Sequence, residues 1–166
     1  MTRTRLRCGR LAVITGELLP GVLTQVFARV LVEAQERARL GLEEVGKLVH
    51  ERAVQSVSAR SHPYRTATPA SRGGPPAMIS GTLSKSLTVT PATPSAQGWQ
   101  VKVGTAPGMY PACNHRTPSS KYGYYLEVAG AGKSHVRYPF LAAAAHAVAE
   151  PAAYTVFKAL FAGPWG

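Results

Sequence analysis

Residues 21–57 read GVLTQVFARVLVEAQERARLGLEEVGKLVHERAVQSV. Leu23, Val26, Phe27, Val30, Leu31, Ala34, Ala38, Leu42, Val45, Val49 and Val57 return every three or four positions, the spacing of one face of an α-helix. Glu33, Glu36, Arg37, Glu43, Glu44, Lys47 and Arg52 occupy much of the remaining surface. Glu33 with Arg37 and Glu43 with Lys47 stand in the favourable acid-before-base order four residues apart. A single helix over this stretch spans roughly 50 Å at 1.5 Å per residue, longer than a small domain is wide. Such a helix is expected to project, or to pack against a neighbouring subunit. Two shorter helices folded on each other, separated at Gly41 and Gly46, are the alternative.

The sequence changes character on either side. Residues 58–79 are rich in Ser, Arg, Pro and Gly, and Arg72-Gly73-Gly74-Pro75-Pro76 fits no regular element, so a long basic loop is expected. Residues 83–90 place Leu87 and Val89 on one face of a strand. Trp99, Val101 and Val103 alternate with polar residues and complete an antiparallel hairpin. A second long loop covers 104–122. Tyr124, Leu126 and Val128 predict a third strand, and Pro139 introduces an Ala-rich C-terminal helix that Pro151 should kink or restart. The fold class read from this order is α+β: a long N-terminal helix, an antiparallel sheet of three to four strands, and a C-terminal helix packed on the sheet. At 166 residues the chain suits one domain over 21–166, preceded by a basic arm or short strand over 1–20. No apolar run reaches the length of a membrane span, so no membrane partner is expected.

Charge narrows the chemistry. Lys and Arg number 19 against 8 acids, and every acid is a glutamate. With no aspartate, mechanisms that need an Asp nucleophile, an Asp–His pair or an Asp-rich metal loop are excluded. Between Glu51 and Glu127 there is no acid at all, while Arg52, Arg60, Arg65, Arg72, Lys85, Lys102, Arg116 and Lys121 lie in that stretch. Cys8 and Cys113 cannot form a disulfide framework and are expected to be reduced.

Candidate motifs fall short of the chemistry they suggest. Gly130-Ala131-Gly132-Lys133-Ser134 resembles the end of a phosphate-binding loop, but Glu127 stands where the pattern needs a glycine and no helix start follows. Cys113-Asn114-His115, with His62 and His135 more distant, lacks the second spaced pair of a metal site. Cys113 and His115 have nothing to orient them as a nucleophilic pair. No catalytic residue, cofactor or metal is therefore expected. Glu127 with His115 or His135 is the best that an enzyme reading offers. The cations interleaved with Tyr64, Trp99, Tyr110, Tyr122, Tyr124 and Tyr125 permit a basic nucleic-acid-binding protein as the alternative function.

Three segments in order carry a family resemblance. Pro76-Ala77-Met78-Ile79-Ser80-Gly81-Thr82-Leu83-Ser84-Lys85-Ser86-Leu87 comes first, Val101-Lys102-Val103-Gly104-Thr105 second. Tyr124-Tyr125-Leu126-Glu127-Val128-Ala129-Gly130 with Tyr138-Pro139-Phe140-Leu141 is the third. Behind a long N-terminal helix, they resemble the HK97 gp10-like family of tailed-phage neck, or tail-completion, proteins over about residues 20–160. Ser80, Leu87 and the Glu-Val-Ala-Gly spacing depart from the family pattern.

The resemblance implies a structural virion protein. Copies would form a six- or twelve-fold ring at the head–tail junction, joining the portal complex to the tail. It would meet head-closure or adaptor proteins on one side and tail-tube or terminator proteins on the other. DNA would pass through the lumen, and assembly would take place in the host cytoplasm. On the residues themselves, Ser80 or Thr82 caps a short helical turn, Gly81 permits a bend, and Glu127 on its strand pairs with Lys85 or Arg137. Arg65, Arg72, Lys85, Arg116, Lys121, Glu127 and Arg137 are the expected subunit or partner contacts. The cations are expected mostly to meet acidic neighbouring proteins.

Overall fold

The computed structural model describes residues 20–111, 116–130 and 135–162, with side chains from residue 24 onward. The N-terminal arm, the Cys113-Asn114-His115 cluster and most of the glycine-rich Gly130–Ser134 segment lie outside the described residues.

The long apolar stripe forms one uninterrupted helix, α1 (Pro20–Ser58), of 39 residues, or about 58 Å. Its polar face is laced along the helix. Arg37 pairs with Glu33, and Arg39 reaches Glu36 at 2.9 Å and Glu43 at 3.0 Å. Pairs of this kind contribute about 0.3–0.5 kcal/mol each, so they support the helix without deciding the fold. Irregular chain then runs from 59 to 81. Its ends are tied by a parallel bridge between Ser61 and Met78, in which His62 N donates to Met78 O and Met78 N to Arg60 O.

A short helix α2 (Thr82–Ser86) follows, entered through Gly81 at φ 73°, where a side chain would be strained. Ser84 Oγ donates to Gly81 O, and Ser80 Oγ accepts from Thr82 N at 3.4 Å. The expected strand over 83–90 is thus reduced to β1 (Leu87–Val89), because α2 takes its first half.

β1 pairs antiparallel with β4 (Val103–Thr105), and β2 (Thr93–Ser95) pairs with β3 (Gly98–Gln100). These are the two rungs of one long hairpin. Between them residues 90–92 oppose only 101–102, a one-residue offset of the bulge kind. Pro91 causes it, since it has no N–H to give the ladder. The neighbouring Ala92 N donates instead to Glu43 Oε1 of α1, 3.1 Å away. Trp99, Val101 and Val103 are half-buried while Gln100 and Lys102 are exposed, so the alternation expected from the sequence holds across the bulge.

The third expected strand does not form. Residues 119–129 are helical: α3 (Ser119–Tyr124) runs into a π-helical turn over Tyr125–Ala129. The second loop is correspondingly shorter, since β4 ends at Thr105 and α3 begins at Ser119. Leu126 and Gly123 point into the molecule, and a Cβ on Gly123 would stand 3.2 Å from Thr105 Cγ2 and 3.5 Å from Leu83 Cδ1. A side chain there would press on Thr105, so glycine suits the close approach of α3 to β4.

The last element, α4 (Leu141–Phe161), continues through Pro151 without a break. A mid-helix proline costs about 3 kcal/mol. Ala144 and Val148 before it, and Ala153 and Val156 after it, all pack on the core, so both halves are held on the same line. α4 returns along α1, bringing Leu160 O within 2.9 Å of Arg37 Nη1. The core between them comprises Val45, Val49, Ala53 and Val57 of α1 with Leu87, Leu126, Phe140 and Ala144. The class is α+β as expected. The sheet is smaller, and α1 against α4 is the main packing layer. Among the described residues no helix is long and apolar enough to cross a membrane.

Candidate functional site

The heptad-like apolar seam of α1 runs through Phe27, Leu31, Ala34, Ala38, Gly41 and Val45, at alternating spacings of four and three. α4 covers this seam from Arg37 onward. Gly41 is where the helices close up, since a Cβ there would come within 2.9 Å of Leu160 Cδ1 and 3.0 Å of Phe157 Cε1. Toward the N-terminus the seam goes on but its cover stops. Val26 is 53% exposed, Phe27 64%, Val30 39% and Leu31 62%. Four large apolar side chains clustered on one helix face are unusual on a self-sufficient monomer surface. α1 has 39 residues against 21 in α4, so cover for the whole seam cannot come from α4.

The seven residues picked from the sequence are distributed differently. Arg65 lies exposed on the 59–81 segment at φ 66°, its guanidinium carbon 5.5 Å from the Tyr64 ring centroid. Arg72 is exposed on the same segment, and the adjacent Gly73 N donates to Arg137 O at 3.2 Å, so the chain around Arg72 and Arg137 comes together. Lys85 lies in the last turn of α2, Lys121 sits on α3, and Arg116 lies just before α3; all three are exposed.

Glu127 differs from its expected role on two counts. It sits on the π-helical turn rather than a strand, and neither Lys85 nor Arg137 pairs with it. Instead its carboxylate caps α4. Oε2 accepts from Phe140 N at 2.8 Å and Leu141 N at 3.1 Å, and Oε1 accepts from Ala142 N at 2.8 Å. The first N–H groups of a helix have no partner within it and carry its positive end, so a carboxylate is suited to the place.

The three resembling segments therefore meet in one body. Ala106 N, just after the second segment, donates to Ser86 O of the first at 2.7 Å. Within the third, Tyr138 N donates to Leu126 O at 2.8 Å. Their residues are architectural: a bend at Gly81 and a helix cap at Glu127. Among the described residues no three His, Cys or Glu side chains gather to hold a metal. Among the described residues, Arg39 is held above its ordinary pKa, first by its hydrogen bond to Glu36, then by the charges of Glu36 and Glu43.

The uncovered end of α1 was present in the sequence as a periodic stripe. The signal that it would remain bare is the mismatch in length between the two apolar helices, which reading each helix by itself does not expose. No family model matches the chain, and neither the curated proteins nor the solved structures compared with it give a match.

Proposed function

We propose that the chain is a structural subunit of a tailed-phage virion, assembling into a ring at the head–tail junction and joining the portal complex to the tail. The observation that carries the reading is the apolar seam of α1, which continues beyond α4 with Val26, Phe27, Val30 and Leu31 exposed. A ring contact is heterologous, one patch meeting a different patch on the next copy, and a projecting helix is a ready means of reaching that copy. The segments resembling the neck and tail-completion family support the location. They meet around α2, β4, α3 and the cap of α4, as motif residues that specify a scaffold do. Hexameric or dodecameric rings, head-closure and tail-tube neighbours, and DNA in the lumen belong to this proposal.

The test is the paired change Phe27→Glu with Leu31→Glu. Both side chains are exposed, so the monomer's fold and thermal midpoint should be retained while ring formation, followed by electron microscopy and light scattering, is lost. Rings that form unaltered with both glutamates in place would remove the seam from the assembly. Absence of the protein from purified virions, or normal head–tail joining without it, would overturn the location.

A further inference from the structure

The positive charge of the chain is unevenly placed. α1 holds five cations and five glutamates, and α4 holds Lys158 and Glu150, so both helices are neutral. Residues 59–140 hold nine lysines and arginines and one acid, Glu127. That carboxylate is already committed to the first N–H groups of α4. Among the described residues no acid pairs with Arg65, Arg72 or Arg137. The uncompensated charge therefore lies on the chain that joins the two helices, where it attracts anions.

Two turns fix arginines of this stretch in place. Residues 63–66 close through Thr66 N, which donates to Pro63 O at 3.3 Å, and put Arg65 at φ 66°. An L side chain is strained there, and strain kept at an exposed cation points to a use for that cation. Its guanidinium lies over the Tyr64 ring, which orients it. Residues 71–74 close through Gly74 N, which donates to Ser71 O at 3.0 Å. Gly73 N of that turn donates to Arg137 O, so Arg72 stands beside the chain that carries Arg137.

Uncovered aromatic rings share this stretch. Tyr64 is 50% exposed, Tyr124 56% and Tyr125 38%. Tyr64 and Tyr122 line one cavity, which places the 59–81 segment against α3. On α3 and its π-helical continuation, Lys121 stands three and four positions before Tyr124 and Tyr125, the spacing of neighbours on a helix face. Cations beside exposed rings are the composition that binds single-stranded nucleic acid, phosphates on the cations and bases stacked on the rings. An acidic protein segment would use the cations and leave the rings idle. We infer that the 59–81 segment and α3 form a binding surface for single-stranded nucleic acid, with Arg65, Arg72, Lys121 and Arg137 on the phosphates and Tyr64, Tyr124 and Tyr125 on the bases. The inference does not rest on ring formation through α1.

The experiment is fluorescence anisotropy of the full chain with a labelled oligothymidylate of about 16 nucleotides. Affinity should fall with rising salt. Arg65→Gln with Arg72→Gln should flatten the slope of log K against log salt by about 1.4, at about 0.7 per phosphate contact. Arg29→Gln with Lys158→Gln removes as much charge from the neutral helices and should leave the slope unchanged. Tyr64→Ala and Tyr124→Ala, each with the parent's thermal midpoint, should weaken binding at least about fivefold. A duplex of the same length has the higher charge density, so tighter binding of the single strand can come only from its bases. No binding at low salt, equal slope changes in the two double variants, a duplex bound as tightly as the single strand, or full affinity in both tyrosine variants would each overturn the assignment. So would polyglutamate of equal charge binding as tightly, which would make the partner an acidic protein.

Discussion

Glu127 shows how one side chain can join two elements distant in sequence. Its two oxygens take three consecutive backbone N–H groups at the start of α4, which no residue of α4 itself provides. Replacing an N-terminal cap costs about 1–2 kcal/mol. Glu127→Ala removes all three acceptors and should stand at the upper end of that range. Glu127→Gln keeps one acceptor oxygen and should lose less, about 1 kcal/mol. Urea unfolding measures both, and an Ala variant as stable as the parent would refute the cap. Ser119 makes the opposite case. Its Oγ is buried and unpaired, so Ser119→Ala should stabilise the isolated chain by about 1 kcal/mol. A fall in midpoint instead would mean that the hydroxyl has a partner.

At the scale of elements, glycine decides where α1 can be approached. A Cβ on Gly46 would lie 2.5 Å from Val101 Cγ1 and 3.2 Å from Val89 Cγ2, both on short β-branched side chains of the hairpin. Such side chains have little rotamer freedom with which to give way. On Gly41 the nearest atoms are the tips of Leu160 and Phe157, which can move aside. Gly→Ala inside a helix gains about 1 kcal/mol in propensity, and overpacking costs about 1–3 kcal/mol. Gly46→Ala should therefore destabilise by about 1–2 kcal/mol net, while Gly41→Ala should be near neutral. Thermal unfolding of the two variants side by side tests the ordering, and a more damaging change at Gly41 would reverse it. The hairpin thus rests on α1 at Gly46, and its edge is closed there by Glu43 taking Ala92 N.

At the scale of the whole molecule, a formal charge of +11 opposes contact between copies, while the bare α1 seam favours it. Salt separates the two effects. The screening length falls from about 10 Å at 0.1 M to about 3 Å at 1 M, weakening repulsion but leaving apolar contact intact. Self-association through α1 should strengthen as sodium chloride is raised from about 0.1 to about 1 M. Sedimentation at several salt concentrations reads this strengthening. Self-association that weakens with salt would mean that the copies are held by charge.

The sequence by itself determined the long helix, the C-terminal helix, the alternation of Trp99, Val101 and Val103, and the shortage of acids. Each is a local pattern: a 3.6-residue period over 37 positions specifies helix, although one helix rather than two parted at Gly41 and Gly46 was decided only by the fold. It did not determine residues 119–130. Tyr124, Leu126 and Val128 alternate like a strand, and their types favour one. The buried positions are Ser119, Gly123, Leu126 and Gly130, spaced four, three and four apart as on a helix, but three of the four are not apolar enough to announce it. Only the tertiary structure selected the helix, because Leu126 must enter the core while Glu127 reaches the head of α4. It likewise decided that α4 covers α1 only from Arg37 onward, leaving Phe27 and Leu31 bare, and that Ser119 is buried with its hydroxyl unpaired. A periodic stripe records that a face is apolar; what covers the face depends on which elements return to it, and that is settled by contacts between residues far apart in the chain.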